Sequence, residues 1–256
     1  MTDFTKYTDA NLSALAHSHK AANIIAKKQA LLDSVLAHYN CTPTSILFIG
    51  FNPAIITCKI ADVAVTEISA QAQAALQAQG VNCRFLTASE LAGEHFDVVV
   101  AADEYFTFAT DADDQLARVG DICCLARTLV ISTLRDYKNQ DFKDREFSVP
   151  AVVRSDAGAK IFTEFHDWSS NTRTQWQSKV IEVDNETDAV TVYGKFQRHT
   201  MYFKQLAKFS MDAGADSFLV HKNLMYKSPI KKTYEHVISI KLWPNLINTL
   251  TQLSTS

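Results

Sequence analysis

Residues 46–69 read ILFIGFNPAIITCKIADVAVTEIS: an apolar run, Ile46 to Ile49, stops at a single glycine, Gly50. A turn and a short helical segment follow, and a second apolar strand, Val63 to Val65, leads to an acid, Glu67. Strand, glycine turn, helix, strand and acid is the layout with which open α/β sheets bind a nucleoside. The turn brings backbone N–H groups close to the ligand, and the carboxylate accepts hydrogen bonds from ribose hydroxyls. Glu67 stands 17 positions after Gly50, near the roughly 20 of that fingerprint. The glycine-rich part is reduced to Gly50 alone, followed by Phe51, Asn52 and Pro53.

Outward from this stretch, strand and helix alternate. Residues 9–39 carry helical apolar spacing, with Asp9 or Asn11 as the cap and a break open at Lys28-Gln29, where the stripe is interrupted. Asn52 and Pro53 are N-cap and first residue of a short helix reaching Cys58 or Ile60. Ala70–Gln79 is a helix stopped by Gly80, and Asn82–Leu86 is a third strand. Phe96–Ala101, apolar but for Asp97, reads as a strand covered on both faces. Asp113–Ala126 is helical and Thr128–Ser132 is a fifth strand, which together predict a doubly wound α/β sheet.

After Thr133 the pattern changes. Residues 135–160 are polar and charged, like a loop or lid. IFTEF, SKVIEV and AVTVYGKF, within residues 161–196, read as antiparallel strands with turn signals at Asp167–Asn171 and Asp184–Asp188. Helical spacing returns at Met201–Ala213, and Phe218–His221 and Val237–Ile240 close the chain as two strands. A basic segment, His221–Lys232, joins them.

Composition sets the class. In 256 residues, 47% apolar and 21% charged side chains are those of a globular chain, and a net charge of −3 argues against nucleic-acid binding through overall charge. No apolar run approaches the roughly 18 residues of a membrane span, and the N-terminus has no secretory apolar region. The five cysteines lack metal or disulfide spacing and read as free thiols in a reducing cytoplasm. The eight histidines show no metal motif, so no metal site is expected.

The order of elements resembles the class I S-adenosylmethionine-dependent methyltransferases. The residues that carry the likeness are ILFIGFNPA, VAVTEIS, VNCRFLTASELAGEHFDVVVAADEYF, TLVIST, and the closing YFKQLAKFSMDAGADSFLV with EHVISIKL. The resemblance implies a Rossmann-like seven-stranded sheet with the last strand antiparallel. N-terminal helices (1–44) would pack on a core of 45–134 and 197–256, and residues 135–196 would form a lid and β insertion over the acceptor site. It also implies S-adenosylmethionine as cofactor. Gly50, Phe51 and Asn52 would lie beside its methionine part, Glu67 on the ribose, Ile68 against the adenine, and Thr87 and Ala88 near the adenine amino group. Ala101, Ala102 and Asp103 would lie under the transferred methyl group. Departures from the family are the missing second glycine, replaced by Asn52, and the rigid Pro53.

For methyl transfer, Asp103, His166 and His199 are the catalytic candidates, either histidine as the general base that deprotonates the acceptor. Tyr105, Arg135 and Tyr137 are candidates for substrate binding, with surface or turn roles equally open. Glu67 has the alternative of a solvated acid at a strand end. Trp168, Trp176, Tyr193 and Phe196 read as the insertion's own core, and Lys222, Lys227, Lys231 and Lys232 as a solvated hairpin loop. The expected function is transfer of a methyl group to an O or N atom of a small molecule. Nucleic acid and membrane are not expected as partners, and a homo-oligomer stays open. The alternatives are a methyltransferase-like scaffold that has lost its cofactor, and a nucleotide- or NAD-binding enzyme on the same sheet.

Overall fold

In the computed structural model, which describes residues 2–139, 145–168, 174–231 and 234–243, the apolar runs become the middle of one sheet. Strand β1 (Ser45–Ile49) pairs in parallel with β2 (Asp62–Thr66) and β4 (Phe96–Ala101), while β3 (Arg84–Leu86) extends β2 and β5 (Ala126–Leu134) extends β4. Every residue of β1 is buried, as the unbroken SILFI run requires of a strand covered on both faces. Asp97 is the exception within its apolar run: its carboxylate accepts the Thr44 and Ser45 amides at 2.7 and 3.2 Å, tying β4 to the entry of β1.

Residues after β5 form a separate antiparallel sheet of β6 (Arg145–Phe147), β7 (Ala151–Ser155), β8 (Gly158–Asp167), β9 (Gln175–Asp184) and β10 (Val190–His199). Two of these strands, β6 and β7, lie inside the stretch that its polarity marks as a loop. Their exposed outer residues hide the pairing with β8. The chain then returns through β11 (Ala215–Tyr226) and β12 (Glu235–Leu242). The main sheet has the order β11-β12-β5-β4-β1-β2-β3, with β12 antiparallel to both neighbours. This mixed α/β sheet with an antiparallel last strand is the arrangement expected from the sequence. Asn171 of the predicted turn and Lys232 lie outside the described residues.

Among the described residues five helices pack with the sheets: α1 (Asp3–His17), α2 (Ala21–His38), α3 (Ala70–Ala78), α4 (Ala112–Leu125) and α5 (Phe203–Asp212). Helix α1 starts earlier than Asp9 or Asn11 because Thr2 caps it, its hydroxyl accepting the Thr5 amide at 3.1 Å. The two helices part at Ser18–Lys20, not at Lys28-Gln29. Lys28 is buried within α2, its ammonium 3.1 Å from the centre of the Tyr226 ring and donating to the Lys227 carbonyl at 2.5 Å. Asn52 caps the segment after β1 as expected, accepting the Ala54 amide at 3.0 Å, yet the segment is one 3-10 turn, Pro53–Thr57. Trp176 and Phe196 are fully buried and Trp168 nearly so, and the two indoles stack at 4.5 Å, so these aromatics are core. Tyr193 is half-buried and donates to Glu182.

Candidate functional site

The C-terminal edge of the parallel strands is where an open α/β sheet holds its ligand. Three residues with side chains adopt left-handed backbone there: Glu67 after β2 (φ +50°), and Asp103 and Glu104 after β4 (φ +55° and +58°). Such conformations cost on the order of 1 kcal/mol or more each and collect at functional edges. Gly50 ends β1 with φ +74° and donates its amide to the Thr66 carbonyl at 2.8 Å.

Helix α1 lies across this edge. A Cβ placed on Gly50 would meet the Phe4 ring at 2.6 Å and the Thr8 methyl at 3.0 Å. Thr5 donates to the Glu67 carbonyl at 3.0 Å. The Glu67 carboxylate accepts from Thr2 at 2.8 Å and from Tyr105 at 3.0 Å. The crevice that the sequence predicts between Gly50 and Glu67 is therefore filled at the Gly50 end by side chains of α1. The amphipathic N-terminal helix finds its apolar partner here, with Phe4 edge-on to Tyr105 and Phe108 at 4.9 and 5.1 Å. The amides that an anion would use are also spent. Gly50 bonds to Thr66, Ala54 and Ile55 bond to Asn52, and Pro53 has none. Phe51 and Asn52 are buried.

The other end of the same edge is open. A cleft of about 400 Å³ is lined by Thr66, Glu67, Ala88, Leu91 and Tyr105, among others, and α4 supplies its far wall. Thr87 is exposed and its hydroxyl and amide both bond to Glu90 at 2.7 Å, so it is not free to reach a ligand in this arrangement. Ile68 packs against the apolar core beside β2. Ala101 and Ala102 end β4 within the core, and Ala102 lines a narrow space of about 20 Å³ with Asn52, Thr133 and Tyr226.

Beyond Ala102, the edge carries a buried ionic network. Both Glu104 carboxylate oxygens accept from Arg135 Nε at 2.9 Å, Tyr137 donates to Oε1 at 2.5 Å, and Lys231 donates to Oε2 at 2.9 Å. Arg198 reaches Glu104 at 3.4 Å and Glu164 at 3.1 Å, and Lys231 also donates to Glu235 at 3.3 Å. Burial alone would raise the Glu104 carboxyl, but Arg135, Lys231 and Arg198 outweigh it and hold the group well below the usual carboxylate range. Glu164 is likewise held low against burial, by His166, Lys231 and Arg198. Glu235 has fewer cations and burial pushes it up to about 7.

The candidate residues thus divide. Arg135 and Tyr137, expected to meet substrate, turn inward, Arg135 pairing with the Glu104 carboxylate and Tyr137 donating to it. Asp103 is buried at the end of β4, accepts from Tyr226 at 2.8 Å, and leaves Oδ1 without a partner; burial raises its carboxyl. His166 enters the network through Glu164, 3.3 Å away. His199 is on the opposite side of β10 from Arg198, where burial lowers its pKa and Asp111 is the charge that acts on it. Lys222 is exposed but lies within β11, not in a loop; Lys227 is exposed just after it, and Lys231 is buried, because Glu104 and Glu235 draw it inward. Glu164, Arg198 and Glu235 escaped the sequence reading as a group. Period-two spacing was the available signal for Glu164 and Arg198, since Phe162, Glu164 and His166 share one face of β8, and Phe196 and Arg198 one face of β10. Among the described residues no cluster fit for a metal ion is present.

No protein-family model and no curated protein matches this sequence. Solved structures do. DesVI of Streptomyces venezuelae superposes with a TM-score of 0.62 at 13% identity, over 86% of this chain and 92% of that one. The sugar N-methyltransferase KedS8 from Streptoalloteichus gives 0.61 at 10% identity, over 87% and 90%. CalS10, an amino pentose methyltransferase from Micromonospora echinaspora solved with S-adenosylmethionine bound, gives 0.60 at 10% identity, over 88% and 96%. At such identities the likeness is one of architecture. The superpositions run over 86–88% of this chain, and the chain has the class I S-adenosylmethionine-dependent methyltransferase fold.

Proposed function

We propose that the chain is an S-adenosylmethionine-dependent methyltransferase acting on an O or N atom of a small molecule, with α1 as a cover that withdraws from Gly50 to admit the cofactor. The observation that carries the reading is the left-handed Glu67 beside the open cleft of about 400 Å³ at the sheet's C-terminal edge. Glu67 and Ala88 fit an adenosyl group, Ile68 flanks them, and Thr2 and Tyr105 stand in for the ribose hydroxyls that Glu67 would accept. The methionine half fits only once Phe4 and Thr8 have moved away from Gly50. When bound, the cofactor supplies the electrophilic methyl group. Asp103, at the end of β4 with one oxygen unpartnered, is the chain's candidate for orienting the acceptor. The unpaired cysteines fit a reducing, cytoplasmic setting.

The second reading, a scaffold without cofactor, is favoured by one specific observation: the Phe4 ring occupies the approach to Gly50. Calorimetric titration with S-adenosylhomocysteine separates the two. The enzyme reading expects saturable binding to the native chain and tighter binding to Phe4→Ala, in which the crevice is unblocked. No heat from either protein at millimolar ligand overturns it in favour of the scaffold.

A further inference from the structure

Three segments remote in sequence enclose a second cleft, of about 510 Å³: the α1–α2 turn with the first half of α2, strand β7, and the β11–β12 connection. Its charged lining is of one sign. Lys20, Lys27, Lys28, Arg154, Lys227 and Lys231 face it, with no Asp or Glu among the described residues. In a chain of net charge −3 this is a local concentration of positive charge, not a reflection of composition. Lys231 is committed inward to Glu104 and Glu235, and Lys28 to the Lys227 carbonyl and the Tyr226 ring. Lys20, Lys27, Arg154 and Lys227 have no carboxylate within ion-pair distance among the described residues.

The cleft is also braced. The His19 amide and Nδ1 meet the Arg154 carbonyl at 3.0 and 2.5 Å, fastening the helical turn to β7. The Lys28 bond to Lys227 fastens α2 to the β11–β12 connection. Between the cations stand Val152, Met225 and Tyr234, all exposed large apolar side chains. A wall of unpaired cations with an apolar and aromatic floor suits a ligand that has several oxyanion charges and an apolar or aromatic part.

We propose that this cleft binds a small molecule of that class, with phosphate or carboxylate groups as the charged part. It shares no lining residue with the cleft at Glu67, so the proposal does not depend on cofactor binding. Lys28 and Leu31 also line the narrow space that leads to Asn52 and Ala102. If the methyltransferase reading holds, the same molecule is the acceptor; that clause alone rests on that reading.

The test is calorimetry on the full chain with inorganic pyrophosphate, citrate, inorganic phosphate, phenyl phosphate, ribose and a single-stranded oligonucleotide. Lys27→Ala with Arg154→Ala is the test variant. Lys179→Ala with Lys195→Ala removes the same charge from exposed positions of the insertion sheet. Expected are binding of pyrophosphate or citrate but not ribose, tighter binding of phenyl phosphate than of phosphate, and a loss of about tenfold or more in the cleft variant only. Whichever of pyrophosphate and citrate binds tighter identifies the charged group. Absence of binding by both, an equal loss in the two double variants, or tighter binding of the oligonucleotide overturns the proposal. Titration with S-adenosylhomocysteine in parallel keeps its failure separate from failure of the methyltransferase reading.

Discussion

Phe4 of α1 and Gly50 of the turn after β1 are in such close contact that any side chain at Gly50 would collide with the ring, 2.6 Å from a Cβ. The glycine is needed here twice, for its φ of +74° and for the helix that lies on it. Gly50→Ala is expected to destabilise the chain by about 2–4 kcal/mol. In a Phe4→Ala background the cost is expected to fall by about 1 kcal/mol, because the collision with the ring is gone while the Thr8 contact and the backbone strain stay. Urea denaturation of the four proteins checks this, and strict additivity contradicts the contact.

The Glu67 carboxylate anchors the start of α1 through Thr2 and Tyr105. Tyr105→Phe removes one donor while keeping the ring against Phe4. The amides of Thr5 to Thr8 are then expected to exchange several-fold faster, for about 1 kcal/mol of lost anchoring. Hydrogen exchange read by mass spectrometry on the N-terminal peptide measures it. Unchanged exchange would mean that the Tyr105 bond to Glu67 takes no part in holding α1, leaving Thr2, Thr5 and the apolar face.

Glu104 is the hub of the buried network and meets Arg135, Arg198, Lys231 and Tyr137. Glu104→Ala leaves those cations buried without their carboxylate, and about 3–5 kcal/mol of stability is expected to be lost. For a chain of this length that corresponds to a fall of roughly 10 °C in melting temperature. A thermal scan showing a loss no larger than a typical exposed salt bridge, under about 1 kcal/mol, would contradict the buried network.

Glu235 gives the network a dependence on pH. Burial raises its pKa from the ordinary 4.5 to about 7, so between those values the folded chain holds a proton that the unfolded chain has released. Its contribution to stability is full below about pH 4.5 and is lost as pH rises through 7. Glu235→Gln keeps the neutral shape and removes the titration. The stability of the native chain relative to this variant is expected to drop by about 2–3 kcal/mol between pH 5 and 8. Denaturant midpoints at the two pH values supply the comparison, and a difference independent of pH contradicts it.

Sequence alone determined the sheet. SILFI, DVAVT and FDVVVA are short apolar runs separated by capped helices, and that local pattern has few solutions other than parallel strands covered on both faces. The Asn52 cap was equally local, bonding the amide two residues on. What only the tertiary structure decided depends on contacts between distant segments. Glu164, Arg198 and Lys231 read singly as ordinary polar residues, and their burial makes sense only when strands from the insertion and the closing hairpin bring opposite charges onto Glu104. Helix α1 was legible only from Asp9 onward, its first turns at Asp3–Thr8 were not read as helix, and an amphipathic stripe does not name the surface it covers. That Phe4 should lie on Gly50 and Thr2 on Glu67 follows from long-range packing, which no spacing along the chain encodes.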